Sequence, residues 1–228
     1  MNGKYPVEHL WGTGTHICEC EKETHYPRLI VLTGGPSAGK TAVLEMALKT
    51  FCPHVTVIPE AASIIFGGGF FRRETFPAKK GAQRAIFKVQ RELERIILDE
   101  KRAAVAICDR GTVDGLAYWP GSEEEFWQEN ESSKKEELSR YDAVIHLRTP
   151  DLTQGYNLDN PVRIESAQEA LKIDGKLLEA WTEHPNRHLI ESQDDFLSKA
   201  TKAIETIQEY LPSCCKQTKI NLKKESPS

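Results

Sequence analysis

The octapeptide Gly34-Gly35-Pro36-Ser37-Ala38-Gly39-Lys40-Thr41 constrains this 228-residue chain more than any other stretch, because it satisfies G-x-x-x-x-G-K-[ST] at every defined position. Such a loop works only between a strand and a helix. Its glycines let the backbone curl until successive N–H groups point inward, and the dipole of the following helix adds partial positive charge. The flanks meet that requirement: Arg28 to Thr33 (RLIVLT) is a short apolar, β-rich run, and Ala42, Leu44, Ala47 and Leu48 continue at apolar helical positions. The pattern predicts a nucleoside triphosphate as ligand. Gly34, Gly35, Pro36, Ser37, Ala38 and Gly39 would wrap the phosphates, Lys40 would reach the β- and γ-phosphates, and the Thr41 hydroxyl would sit on Mg²⁺.

Three further apolar runs follow, at Val55 to Pro59, Ala104 to Cys108 and Ala143 to Leu147, with His188 to Glu191 as a fifth strand. They are continuous and not alternating, as parallel strands covered on both faces require. Between them Ile86, Phe87, Gln90, Leu93, Ile96 and Ile97 recur at helical spacing, which predicts a long crossover helix over Gly81 to Lys101. Amphipathic helices are also expected over Ala167 to Trp181 and Phe196 to Leu211. This βαβ alternation implies an α/β fold with a parallel sheet. Gly121 to Arg140, rich in Glu, Ser and Lys, reads as a solvated helix and loop without chemistry of its own.

Length favours one core, since two domains from 228 residues would each have a thin one. The division expected is an N-terminal extension over 1–27, a nucleotide-binding domain over 28–211 and a disordered polar tail over 212–228. No apolar run approaches the roughly 20 residues of a membrane span. A net charge of -4 offers no long-range attraction for nucleic acid, so an anionic ligand must be held by local geometry. The N-terminus lacks the basic and apolar regions of a secretory signal, which makes the cytoplasm the expected location. Cys18, Cys20, Cys52, Cys108, Cys214 and Cys215 are too irregular for a disulfide framework and read as reduced thiols. Cys18 and Cys20 lie between His16 and His25, but the spacing matches no structural zinc pattern.

Beyond the loop, the third strand ends in Asp109, followed by Arg110 and Gly111. Asp109 would hold Mg²⁺ directly or through water, or serve as a helix N-cap, and Arg110 could contact a transferring phosphate. Glu60 ends the second strand at the edge where parallel α/β sheets bind ligands. It could take a proton from an acceptor hydroxyl, orient a water or bind a ribose. Phe66 to Arg73 combines three glycines, three aromatics and two arginines, as a closing substrate loop or a mobile linker would. Gln90 could read a substrate edge or line the margin of the core. Asp151 to Pro161 is turn-rich, and Arg163 after it is either a lid arginine acting on the γ-phosphate or a surface arginine paired with Glu165 or Glu169. His146 and His184 read as structural.

Together GGPSAGKT, VIPEAAS, CDRG with Asp114 and Tyr118, YDAVIHL and NPVRIESAQEALKID resemble the NadR-like AAA-type ATPase family, over about residues 28 to 211. The resemblance implies a kinase-like P-loop NTPase core, a three-layer αβα sandwich around a five-stranded parallel sheet, with ATP or GTP at the loop. Some relatives phosphorylate a nucleoside and others act as nucleotide-binding regulators. By position, Lys40 and Thr41 match the nucleotide loop, Asp109 and Arg110 the pair ending the third strand, and Arg163 the lid arginine. Glu60 is similar to the acidic base of deoxynucleoside kinases, and the loop at Ser192 and Gln193 lies where kinase relatives seat adenine. The expected activity is therefore ATP- and Mg²⁺-dependent transfer of the γ-phosphate to a small-molecule hydroxyl, with a nucleotide-dependent switch and a bare NTPase with a protein partner as the alternatives. The chain lacks the several-arginine lid of nucleoside monophosphate kinases, which disfavours a monophosphate acceptor. It also lacks Asn-Lys-x-Asp, which favours adenine over guanine.

Overall fold

A computed structural model describes residues 16–18, 24–150, 167–192, 196–216 and 218–220. Five parallel strands form one sheet in the order β3-β4-β2-β5-β6, where β2 is Arg28–Thr33, β3 Val55–Ile58, β4 Val105–Asp109, β5 Ala143–Leu147 and β6 Arg187–Ile190. Every strand of the sequence reading is present; β2 and β5 have the expected bounds and the ends of the other three shift by one residue at most.

Alternate residues of each strand enter different cores, which explains why the runs are apolar throughout. Ile30, Leu32, Val105, Ile107 and Ile145 pack with Val43, Leu44 and Ala47 of α1 (Lys40–Thr50) and with Ala200, Ala203 and Ile207 of α7 (Phe196–Glu209). Leu29, Val31, Ala106, Cys108 and Val144 face the other way. They meet Phe87 and Ile97 of α3 (Phe76–Glu100), Phe126 and Trp127 of α4 (Glu123–Asn130), Leu138 of α5 (Lys134–Ser139) and Trp181 beyond α6 (Ala167–Ala180). The result is the expected three-layer αβα sandwich. A short helix α2 (Ala61–Gly67) precedes α3, and a 3₁₀ segment, Thr112–Tyr118, follows β4.

Three expectations change. The crossover helix begins five residues early, at Phe76, because Pro77 in its first turn is preset for helical φ and has no N–H to lose. The 121–140 stretch is two capped helices and not a solvated connection: Ser122 accepts from the Glu125 amide and Ser133 from the Glu136 amide, each at 3.2 Å. Phe126, Trp127, Glu137 and Leu138 are buried there. Their signal is masked by charges that pair with α3, as in Arg84 with Glu129 and Arg91 with Glu137, both at 2.7 Å. Finally, the polar tail carries α8 (Ser213–Lys216), with Cys215 buried in the α1–α7 core, and β7 (Thr218–Ile220), which pairs antiparallel with β1 (His16–Cys18). No helix among the described residues is long and apolar enough to cross a membrane.

Candidate functional site

The glycine loop leaves β2 at the sheet's C-terminal edge and turns into α1 through two left-handed glycines, Gly34 at φ 136° and Gly39 at φ 93°. Neither tolerates a side chain: a Cβ on Gly34 would lie 2.1 Å from the Leu147 carbonyl oxygen, and one on Gly39 would lie 2.5 Å from the Phe196 ring. Gly39 caps α1 without a side-chain bond, which leaves the first-turn N–H groups to the loop. Lys40 is buried, and its ammonium donates back across the loop to Gly34 O at 2.7 Å and Gly35 O at 3.0 Å. Thr41, one residue on, is half-buried.

Side chains distant in sequence hold this loop. Asp174 of α6, fully buried, accepts from the Gly35 amide at 3.0 Å and lies 2.9 Å from His146 Nε2 and from Arg148 Nε. Burial works against its charge, but His146, the Gly35 amide and Arg148 outweigh it and hold the carboxyl below its ordinary range. Thr149 donates to Pro36 O at 3.2 Å. From α7, Lys199 donates to Ala38 O at 3.0 Å and to Arg148 O. Burial, only partly offset by Asp174 and Glu191, lowers the Lys199 ammonium to about 8.

That depression fixes a pH signature. Between about pH 8 and the ordinary lysine value of 10.5 the unfolded chain binds the extra proton, so this group makes stability rise with pH across the window. Buried Tyr141 and Cys108, raised by desolvation, act in the opposite sense. Comparison with Lys199→Met isolates the lysine. The Tm advantage of that variant over the wild type, followed by differential scanning fluorimetry, is expected to shrink from pH 8 to 10; a difference that stays flat would disprove the buried cation.

At the end of β4, Asp109 is fully buried and registered against Leu32, two residues before the loop begins. Arg110 then takes φ 80°, a left-handed conformation rare for a side chain of its size. The turn aims its guanidinium back over the loop. Nε donates to Glu60 Oε1 at 2.8 Å, while Nη1 lies 3.4 Å from Gly34 O and 3.4 Å from Asp114 Oδ2. The guanidinium also covers Tyr118, at 5.6 Å from the ring centroid. Desolvation opposes its charge, but Tyr118, Glu60, Asp114 and Asp109 together raise its pKa above the ordinary arginine value. Glu60, the residue before α2, also accepts from Ser63. Asp114 accepts from Thr33 at 2.9 Å and from the Trp181 indole. The structure thus brings together the loop, Glu60, Asp109 and Arg110. The chemistry of the donors suits a hard dication: a buried carboxylate, Asp109, ends the strand paired with β2, and a hydroxyl, Thr41, lies on the first turn of α1.

A second buried network seats the segment after Arg110. Thr112 donates to Glu137 at 2.7 Å and its amide donates to the Tyr141 hydroxyl at 2.9 Å. Glu137 also accepts from Arg140 at 2.9 Å, and Glu94 accepts from Tyr141 at 2.9 Å, from Gln90 at 2.8 Å and from Arg140. Gln90 is therefore a core residue bonded along its own helix, and Glu137 and Arg140, in the stretch assigned no chemistry, support the site from beneath.

Phe70, Phe71, Arg73, Thr75, Pro77, Ala78 and Gly81 line an open cavity of about 320 Å³. Arg73 stacks on Phe71 at 4.5 Å and Arg72 on Phe66 at 5.4 Å, with Gly69 at φ 95° in the bend. Glu60 does not line that cavity. Arg163, the 151–161 loop and Gln193 lie outside the described residues. Sequence reasoning did not single out Asp174, Lys199 or Phe196. Asp174 and Lys199 lie on helices recognised only by their apolar positions, and the packing of α6 and α7 against the loop reveals them. Phe196, 44% exposed beside Gly39, carried no signal beyond a helix start.

The family model described as AAA domain matches residues 29–198. No curated protein matches the chain. Among solved structures, the thymidylate kinase of Candida albicans superposes with a TM-score of 0.54 at 18% identity, covering 81% of this chain and 94% of that one. The NadR protein in complex with NR gives 0.59 at 17%, and the NadR protein in complex with NAD and AMP-PNP gives 0.57 at 15%. These two alignments cover 82% and 89% of this chain, which spans about half, 52%, of each NadR chain.

Proposed function

The chain belongs to the AAA-domain family, and from that premise we propose that it is a NadR-like ATP- and Mg²⁺-dependent phosphotransferase acting on the hydroxyl of a nucleoside-like small molecule. One observation carries the reading: the Glu60–Arg110 ion pair spans the crevice over Gly34 O, beside the glycine loop and the buried Asp109. In this assignment Gly34 to Gly39 wrap the triphosphate, Lys40 turns from the loop carbonyls to the phosphates, and Arg110 meets the migrating negative charge. Thr41 and Asp109 hold Mg²⁺, which offsets charge on the phosphate oxygens. Glu60, fixed by Arg110 and Ser63, receives the acceptor's proton. Arg163 is assigned to the γ-phosphate on position alone. ATP is favoured over GTP as donor. The AMP-PNP and NR bound by the NadR structures support this reading of the donor and the acceptor class.

A second reading, a nucleotide-dependent switch with a protein partner, is favoured by one feature. The open cavity lies among Phe70, Phe71 and Arg73 and leaves out Glu60, and Phe71 is 66% exposed. A kinase requires that segment to close over an acceptor. The deciding assay is transfer from γ-labelled ATP, with Mg²⁺, into a panel of nucleosides and vitamin-like alcohols, scored against free phosphate. Labelled product from one acceptor establishes the kinase. Tight ATP binding with neither transfer nor rapid hydrolysis establishes the switch.

A further inference from the structure

At the opposite end of the sheet, where β2 and β3 begin, soft metal-ligating side chains converge. Among the described residues His25, His54 and Cys215 each offer one ligand atom, and these atoms lie within 4.8 Å of one another. Cys215 Sγ is 3.6 Å from His54 Nδ1, and the two imidazoles lie with centroids 4.5 Å apart, tilted by 50° to each other. Cys52 Sγ lies 3.9 Å from the same His54 nitrogen, and Cys214 Sγ lies 3.9 Å from Cys215 Sγ. His25 and Cys215 are buried, while His54 is half-buried.

We propose that this cluster is a structural zinc site, with His25, His54 and Cys215 as ligands; Cys52, whose Sγ lies 3.9 Å from His54 Nδ1, is the neighbouring thiol that turns in as the fourth on metal entry. Tetrahedral Zn²⁺, with bonds of about 2.0 Å to nitrogen and 2.3 Å to sulfur, places its ligand atoms roughly 3.3–3.8 Å apart. The Cys215–His54 separation already falls in that range and Cys52–His54 lies just above it; within the His25, His54 and Cys215 set the other pairs, at most 4.8 Å apart, close by about 1 Å or less on metal entry. Thiolate and imidazole together select zinc over magnesium or calcium. The backbone of each segment is anchored before any metal enters. The His25 amide donates to Lys101 O at 2.7 Å, His54 O accepts from the Ala104 amide at 2.7 Å, and the Cys215 amide donates to Pro212 O at 2.9 Å.

The consequence is mechanical. The metal ties the segment before β2, the turn before β3 and helix α8 into one knot. A crosslink between positions so far apart in sequence removes much unfolded-state freedom. The phosphate loop sits at the other end of β2, so the clamp acts on stability and not on phosphate chemistry.

The test uses the full chain, purified without a metal-affinity tag. Elemental analysis is expected to find one zinc per chain that survives dialysis. Stripped protein titrated with Co²⁺ is expected to develop the strong visible bands of tetrahedral cobalt and a thiolate charge-transfer band. Saturating Zn²⁺ is expected to raise Tm by about 5–10 °C. Cys215→Ser and His54→Gln should each weaken the cobalt spectrum and cut the Tm gain by at least half. Pale octahedral cobalt bands in the wild type, or an unchanged spectrum in Cys215→Ser, would overturn the proposal, and the wild-type titration decides it even if both variants fail to fold.

Discussion

Substitution of Lys40 by alanine is expected to lower ATP affinity and nucleotide turnover by about 100-fold or more, because it removes the ammonium held on the first two carbonyls of the glycine loop, within the motif itself. The mechanism is electrostatic. A triphosphate in a partly dehydrated loop needs a positive charge within hydrogen-bond reach, and the backbone N–H groups of α1 supply only partial charge. Lys40 also bonds to Gly34 O and Gly35 O, so the variant must be compared with the wild type in Tm as well as in ATP titration. A folded Lys40→Ala protein that binds and turns over ATP within about threefold of the wild type would refute the nucleotide assignment altogether.

The second large effect is expected at Glu60. Glu60→Gln should depress phosphate transfer by about 10²- to 10⁴-fold while ATP affinity stays within about threefold. Glutamine preserves the shape of the site: its carbonyl can accept from Arg110 Nε, as Oε1 does at 2.8 Å, and its amide can face the Ser63 hydroxyl. What it loses is the capacity to take a proton. A fall in kcat without a fall in nucleotide affinity therefore separates a base from a ligand of metal or nucleotide. If affinity falls in step with turnover, Glu60 serves binding, and the acceptor's proton must leave by another route.

Arg110 shows how a local motif and a remote contact share one function. Asp-Arg-Gly after a buried strand was legible as a candidate pair, but nothing local foretells that Arg110 adopts φ 80° and bridges Glu60, Gly34 O and Asp114. Asp114 in turn is held by Thr33 and Trp181, from β2 and from beyond α6. Asp174 and Lys199 carry the same lesson, because amphipathic patterning identifies which helix face is apolar and not which charge that face buries. The cysteines differ again. Reading them by spacing directed attention to Cys18 and Cys20, whereas the convergent set, His25, His54 and Cys215, is distributed over nearly the whole chain and has no spacing to recognise.

The amino-acid sequence alone determined the class of fold, the five strands and the glycine loop between β2 and α1, because these rest on local physics. Continuous apolar runs demand burial on both faces, and left-handed glycines ahead of an amphipathic helix demand a strand-loop-helix turn. Only the tertiary structure decided the strand order, the capped helices within 121–140, the Glu60–Arg110 bridge and the buried charges under the loop. The caps within 121–140 are local, but the docking of those helices on α3 and the other features join residues tens to well over a hundred positions apart. They form because burying a charge or a hydrogen-bonding group costs free energy unless a partner meets it, and the packing of the whole chain selects which partner that is.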